Sequence, residues 1–206
     1  MEDVLDLYEE PYDPKQPVIC LDERPCQLLG EVFTPVPIKP GRKRREDYEY
    51  VRAGHCALFM LFEPQQQFRH VEVRPRRTAR DYADMLKLLA DEIYPEATKI
   101  RVVQDNLNTH TPAALYQRFE PAEARRLTQR FEFHYTPIHA SWLNMAEIEL
   151  SVISRQCLHR RIDSIEKLGS EAQAWSQERN ARKQGVTWCF TTKDARRKLE
   201  RFYENN

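Results

Sequence analysis

Three acidic residues carry the chemistry available to this chain. Asp22 closes the apolar run Val18-Ile19-Cys20-Leu21, and Asp105 closes a second run, Ile100-Arg101-Val102-Val103-Gln104. Glu147 opens a helix-like stretch behind Ser141-Trp142-Leu143-Asn144. Carboxylates at two strand ends, joined by a third on a following helix, are hard oxygen ligands for divalent metal. Metal held in that way serves phosphoryl transfer on nucleic acid. The plain alternative is that an aspartate at a strand end forms a turn or caps a helix. Two features weigh against it. Asp105 begins the polar cluster Asp105-Asn106-Leu107-Asn108-Thr109-His110 directly after a buried strand, and Glu147 follows closely on an aromatic-containing Ser-Trp-Leu-Asn.

Two of the three have rivals. On a helical wheel the apolar stripe is Leu143, Ala146, Leu150, Ile153 and Cys157, and Glu147 and Glu149 fall on opposite flanks of it, about equally far from its centre. Periodicity alone does not choose between them. Glu23 rivals Asp22, but neighbouring strand residues point to opposite faces, so one of that pair serves the site and the other does not.

The elements that must position these groups are legible in outline. A first strand, Pro17 to Glu23, is apolar enough to be buried on both faces. From Arg24 to about Tyr50 the chain reads as a long irregular loop, broken by Pro25, Pro35, Pro37, Pro40 and Gly41. Strands follow at Val51–Phe62 and Phe68–Val73 around the turn Glu63-Pro64-Gln65-Gln66. Thr78 is the predicted N-cap of a helix through Ile93. A strand at Lys99–Gln104 precedes a helix begun by Thr111-Pro112 and another over Pro121–Arg130. A strand at Phe131–Tyr135 comes next, then helices over Asn144–Leu158, Ile165–Lys183 and Thr191–Tyr203. That order predicts an α/β fold of the ribonuclease H-like, retroviral-integrase-like kind. It has a mixed five-stranded sheet flanked by helices and a helical C-terminal tail. With strands one and four side by side and parallel, Asp22 and Asp105 emerge at the edge where α/β proteins place their ligands.

Composition sets the frame. A 206-residue chain with 41% hydrophobic content buries one main core. We expect residues 1–16 to be an N-terminal linker remnant and 17–206 the catalytic domain, with the basic insertion at about 24–50. The 32 basic residues balance 32 acidic ones, so clustering rather than net charge decides whether nucleic acid is bound. Lys39, Arg42, Lys43, Arg44 and Arg45 form such a cluster. Charge runs are usually solvated loops, but DNA contact is favoured here because a phosphate backbone needs positive charge near the metal. Arg69, Arg74, Arg76, Arg77 and Arg80 are a weaker second cluster. Five cysteines without a Cys-x-x-Cys support neither a disulfide framework nor a zinc ribbon. The acidic N-terminus and short apolar runs predict a cytoplasmic protein with no membrane span. No Gly-x-x-x-x-Gly-Lys loop is present, so no nucleoside triphosphate cofactor is expected.

Together the motifs Leu21-Asp22-Glu23, Asp105-Asn106-x-x-x-His110 and Ser141-Trp142-Leu143-Asn144-x-x-Glu147 resemble the catalytic domain of mariner-related bacterial insertion-sequence transposases, which belong to the DDE superfamily endonucleases. The resemblance runs from about Pro17 to the end of the chain. It implies Asp22, Asp105 and Glu147 as catalytic residues and ligands of two Mg²⁺ or Mn²⁺ ions. Asn106, His110 and Asn144 would support those ligands or touch DNA. It also implies metal-dependent cleavage and strand transfer on double-stranded DNA, at element ends and a TA target, by a homodimer. In such proteins an insertion after the first catalytic strand reaches across to the partner subunit. The family's helix-turn-helix recognition region has no counterpart in this sequence, so a companion chain or an N-terminal region is expected to supply end recognition. The alternatives are a catalytically silent DNA-binding derivative and a ribonuclease H-like nuclease acting on another substrate.

Overall fold

The computed structural model describes residues 1–33, 41 and 49–200. The elements are α1 (Glu2–Glu9), β1 (Val18–Glu31), β2 (Tyr50–Glu63), β3 (Phe68–Arg74), α2 (Ala79–Leu88), β4 (Ile100–Gln104), α3 (Ala113–Arg118), α4 (Pro121–Arg130), β5 (Phe131–Tyr135), α5 (Met145–Gln156), α6 (Ile165–Ala181) and α7 (Thr192–Lys198). The five strands lie in the order β3-β2-β1-β4-β5. The first three form an antiparallel meander, and β4 and β5 join in parallel through helical connections.

Alternation along the strands sorts the core into two layers. Val18, Cys20, Leu58, Met60, Phe62 and Val103 face the layer built with α1, α5 and α6. Ile19, Leu21, Ala57, Phe59, Leu61, Ile100 and Val102 face the layer built with α2, α3 and α4. Burial on both faces explains the near-continuous apolar runs of β1 and β4. Among the described residues no helix is long and apolar enough to cross a membrane.

Three segments differ from the sequence expectation. Residues 24–31, expected to be loop, continue β1 to Glu31 and pair with β2. Pro25 is tolerated because the β4 ladder reaches only Cys20, so beyond that point β1 has one neighbour and one free side. Residues 1–16, expected to be linker, contain α1, which buries Val4, Leu5 and Leu7 in the first core layer. The helix capped by Thr78 is α-helical only to Leu88, and Leu89–Ile93 widens into a π turn. The cap expected at Thr78 is present, and Asn144, expected to be the first residue of its helix, is a second cap. Thr78 and Asp81 form a reciprocal capping box, and Asn144 caps α5.

Candidate active site

The parallel ladder between β1 and β4 pairs Val18 with Arg101, Ile19 with Val102 and Cys20 with Val103. Carried two residues further, that register sets Asp22 level with Asp105, on the face that Cys20 and Val103 share. This is the face covered by α5. Asp22 and Glu147 line one open cleft of about 430 Å³, together with Glu23, Arg24, Ser151, Ser154 and Arg155. Burial pushes the Asp22 carboxyl up to about 7, and the charges of Glu23, Asp105 and Glu147 push in the same direction against one backbone hydrogen bond from Glu23. Three carboxylates from distant segments thus share one electrostatic neighbourhood.

Asn144 ties two of these segments together. Its Oδ1 accepts from the Ala146 amide at 3.1 Å, capping α5, while its Nδ2 donates to the Leu21 carbonyl at 2.9 Å. One buried amide therefore fixes the first turn of α5, which carries Glu147, to the residue before Asp22. The side chain is too buried to meet DNA. Glu149 has a different fate. It is fully buried, ion-paired with Arg69 (2.9 Å) and hydrogen-bonded by Arg179 (3.0 Å), so it is not available to the cleft.

His110 lies just beyond β4 and is 1% exposed. Its Nδ1 is 2.5 Å from Asp105 Oδ1, and its Nε2 is 2.9 Å from Glu23 Oε2, an ion-pair contact. Burial disfavours the charged ring, but the bonds to Asp105 and Glu23 outweigh it and raise its pKa to about 9. The ring stacks on Tyr82 at 4.8 Å. Gln104 completes the setting, since its Nε2 donates to the His110 carbonyl at 2.9 Å and its Oε1 accepts from the Tyr82 hydroxyl at 2.7 Å.

Asn106 is exposed on the loop after Asp105. Lys39, Arg42, Lys43, Arg44 and Arg45 lie outside the described residues. Trp142, 41% exposed, stacks with Trp188 and meets Phe190 edge-on. Sequence reasoning missed Glu23, Tyr82 and Gln104 as parts of the site's frame. Strand alternation rightly separated Glu23 from Asp22, but it also carried the signal that was passed over. A carboxylate directed into an apolar layer needs a partner, and a histidine five residues after Asp105 was the one to look for.

The donor set suits a hard divalent ion. Partial burial, and after it the charges of Glu23, Asp105 and Glu147, hold the Asp22 carboxyl up, and a cation would relieve both. Among the described residues no three His, Cys, Asp or Glu side chains stand together as a ready-made ligand set, and Asp105 turns one oxygen to His110.

The strand order and the carboxylates at the ends of its parallel pair define a ribonuclease H-like fold. The chain belongs to the DDE superfamily endonuclease family, whose model matches residues 17–169. Its fold is similar to that of the Mos1 strand transfer complex, with 17% identity over 88% of this chain and 54% of that chain, at a TM-score of 0.58. The Mos1 mariner paired end complex with Mn gives 17% identity over 88% and 55%, with a TM-score of 0.58. The Mos1 paired end complex with Mg gives 19% over 89% and 53%, with a TM-score of 0.55. The chain spans about half the length of these solved relatives. A comparison with the curated proteins gives no match.

Proposed function

We propose that this chain is the catalytic domain of a cut-and-paste transposase, which cleaves DNA at the ends of a mobile element and joins the freed ends to target DNA. The observation that supports this reading is the gathering of Asp22, Asp105 and Glu147 at the carboxyl end of the β1–β4 pair, beside an open cleft. Family membership agrees with it. Mg²⁺ or Mn²⁺, held as a pair by these three carboxylates, would supply an activated water or 3′-hydroxyl nucleophile and neutralise charge on the departing 3′-oxygen. The chain's own residues do the placing. Asn144 keeps Glu147 beside Asp22, His110 steadies Asp105, and Arg155 on the cleft wall offers a cation to the phosphate. One phosphodiester is exchanged for another, so no nucleoside triphosphate is required.

The partners of this reading are double-stranded DNA carrying element ends and a TA target, a second copy of the chain, and a helix-turn-helix region for end recognition. The test is nicking of supercoiled DNA in Mg²⁺. Asp22→Asn, Asp105→Asn and Glu147→Gln should each lower the nicking rate at least about a hundredfold while DNA binding stays largely intact. Full activity in Glu147→Gln would reject the assignment. Tight DNA binding by the unaltered chain with no cleavage in Mg²⁺ or Mn²⁺ would instead mark a silent DNA-binding derivative. Preference for RNA–DNA hybrid or branched DNA would mark a different ribonuclease H-like nuclease.

A further inference from the structure

We propose that Glu23 is a positioning residue: through His110 it holds the Asp105 carboxylate in the orientation that receives metal. The inference rests on the functional reading above and adds a residue that this reading does not use. Asp22 and Glu23 are neighbours on β1, so their side chains leave opposite faces of the sheet. Asp22 faces the α5 side. Glu23 enters the layer of Leu21, Phe59 and Tyr82, where its side chain is only 3% exposed. A carboxylate in such a place needs a partner of its own, and what it has is the far side of the imidazole that bonds Asp105.

The geometry makes a fixed strut. An imidazole has two nitrogens; here Nδ1 is hydrogen-bonded to Asp105, and Nε2 lies 2.9 Å from Glu23 Oε2 as an ion-pair contact. The ring face rests on Tyr82, and the His110 carbonyl is held by Gln104, itself held by Tyr82. The ring therefore has little freedom to turn. Asp105, by contrast, opens a loop and is 34% exposed, so its own surroundings do not choose its rotamer. With Glu23 as the second anchor, the imidazole points its Nδ1 at one Asp105 oxygen and leaves the other for a ligand. Supporting groups behind a metal-binding carboxylate commonly set its affinity in this manner. Arg77 Nη1, 3.9 Å from Glu23 Oε1, is the partly exposed outer end of the same line.

The test compares Glu23→Gln, His110→Gln and the double variant with the unaltered full chain. The control is Glu63→Gln, which removes another buried carboxylate, one bonded to Tyr94 and not among the residues lining the cleft. Two quantities are read: Mn²⁺ affinity by calorimetry, and the imidazole N–H proton resonance of the metal-free chain. Glu23→Gln and His110→Gln should each weaken Mn²⁺ binding about 10–100-fold, and the double variant should lose no more than the worse single one. The downfield N–H signal expected from the His110–Asp105 bond should vanish in His110→Gln and shift in Glu23→Gln. Glu63→Gln should keep its Mn²⁺ affinity even where it melts earlier. Wild-type Mn²⁺ binding in Glu23→Gln, additive losses in the double variant, or an N–H signal indifferent to Glu23 would each overturn the inference. Failure of the unaltered chain to bind Mn²⁺, or binding indifferent to Asp105→Asn, would overturn the functional reading and this inference with it.

Discussion

Glu149 and Glu147 stand two residues apart on α5 and belong to opposite kinds of charge cluster. Glu149 has no exposure, and Arg69 and Arg179 meet its two oxygens. The Arg69 guanidinium also lies over the rings of Phe62 and Trp175, and Arg179 lies over Trp175. Asn180 bonds both the amide and the carbonyl of Arg69, which closes that stretch of the edge strand β3. Here the carboxylate has its counter-charge from within the protein, with one cation to spare. Around Asp22 the balance fails: Glu23, Asp105 and Glu147 all raise the cost of its charge. A structural ion cluster carries its own counter-charge, whereas a site that works on an outside cation or phosphate is left short of one.

The largest effect that bears on this contrast comes from Arg69→Ala. Removing the innermost cation leaves one oxygen of a buried carboxylate without its counter-charge and only Arg179 on the other, and the expected loss is about 3 kcal/mol of folding stability, read from urea unfolding. Arg179→Ala should cost less, since that side chain keeps some contact with solvent (12% exposed). If Arg69→Ala unfolds at the same urea concentration as the parent, the cluster is not structural and the contrast collapses.

Asn144→Ala comes next. The variant loses the α5 cap and leaves the buried Leu21 carbonyl without its donor, a loss of about 1–2 kcal/mol. Because the same amide sets Glu147 beside Asp22, nicking should fall by more than the stability change explains at temperatures where the variant is folded. Equal nicking by folded Asn144→Ala and parent would show that the cap serves the helix only.

Asp22→Asn should move stability the other way. Removing one of several repelling carboxylates from a half-buried position should stabilise the metal-free chain by about 1 kcal/mol while abolishing nicking. A melting point lowered as far as that of Arg69→Ala would show that Asp22 is held by favourable contacts and not crowded by like charge.

How much of this was readable beforehand follows from the range of each signal. Local signals carried well: Thr78 as a cap, Pro121 as a helix opener, and the apolar runs of β1 and β4 are written in a few adjacent residues. Asp105 and Glu147 were legible as element ends, whereas Asp22, expected to close the first strand, lies inside β1 two residues past the end of the β4 ladder. What decides between Glu147 and Glu149 is not on α5 at all, because Arg69 comes from β3 and Arg179 from α6. A helical wheel has no access to either. The extension of β1 past Pro25 was hidden for a similar reason, since proline is excluded from a strand with two neighbours and permitted where β4 has already ended. The docking of α1 rests on Val4, Leu5 and Leu7 meeting a core assembled from the rest of the chain.

The smallest effect concerns arginines that face outward. Arg76, Arg80 and Arg118 line an open cleft at the start of α2, with Thr78, Asp81, Asp84 and Gln117. Its carboxylates are already engaged, Asp81 by the Thr78 cap and Asp84 by Arg118 and Arg74. Among the described residues Arg76 and Arg80 pair with no carboxylate, unlike Arg69 and Arg179. β3 runs parallel to β1 and ends at Arg74, so these cations leave the sheet at the end where Asp22 and Asp105 stand. Cations left free beside the site are suited to the phosphates of DNA lying across it. Each of Arg76→Ala and Arg80→Ala should then reduce the slope of log affinity against log salt by about 0.9 for duplex DNA, uniformly across sequences. Stability should stay within about 0.5 kcal/mol of the parent, because both side chains are exposed. An unchanged salt slope in the double variant would place the DNA elsewhere. A large stability loss would mean that these arginines, like Arg69, are held by the protein.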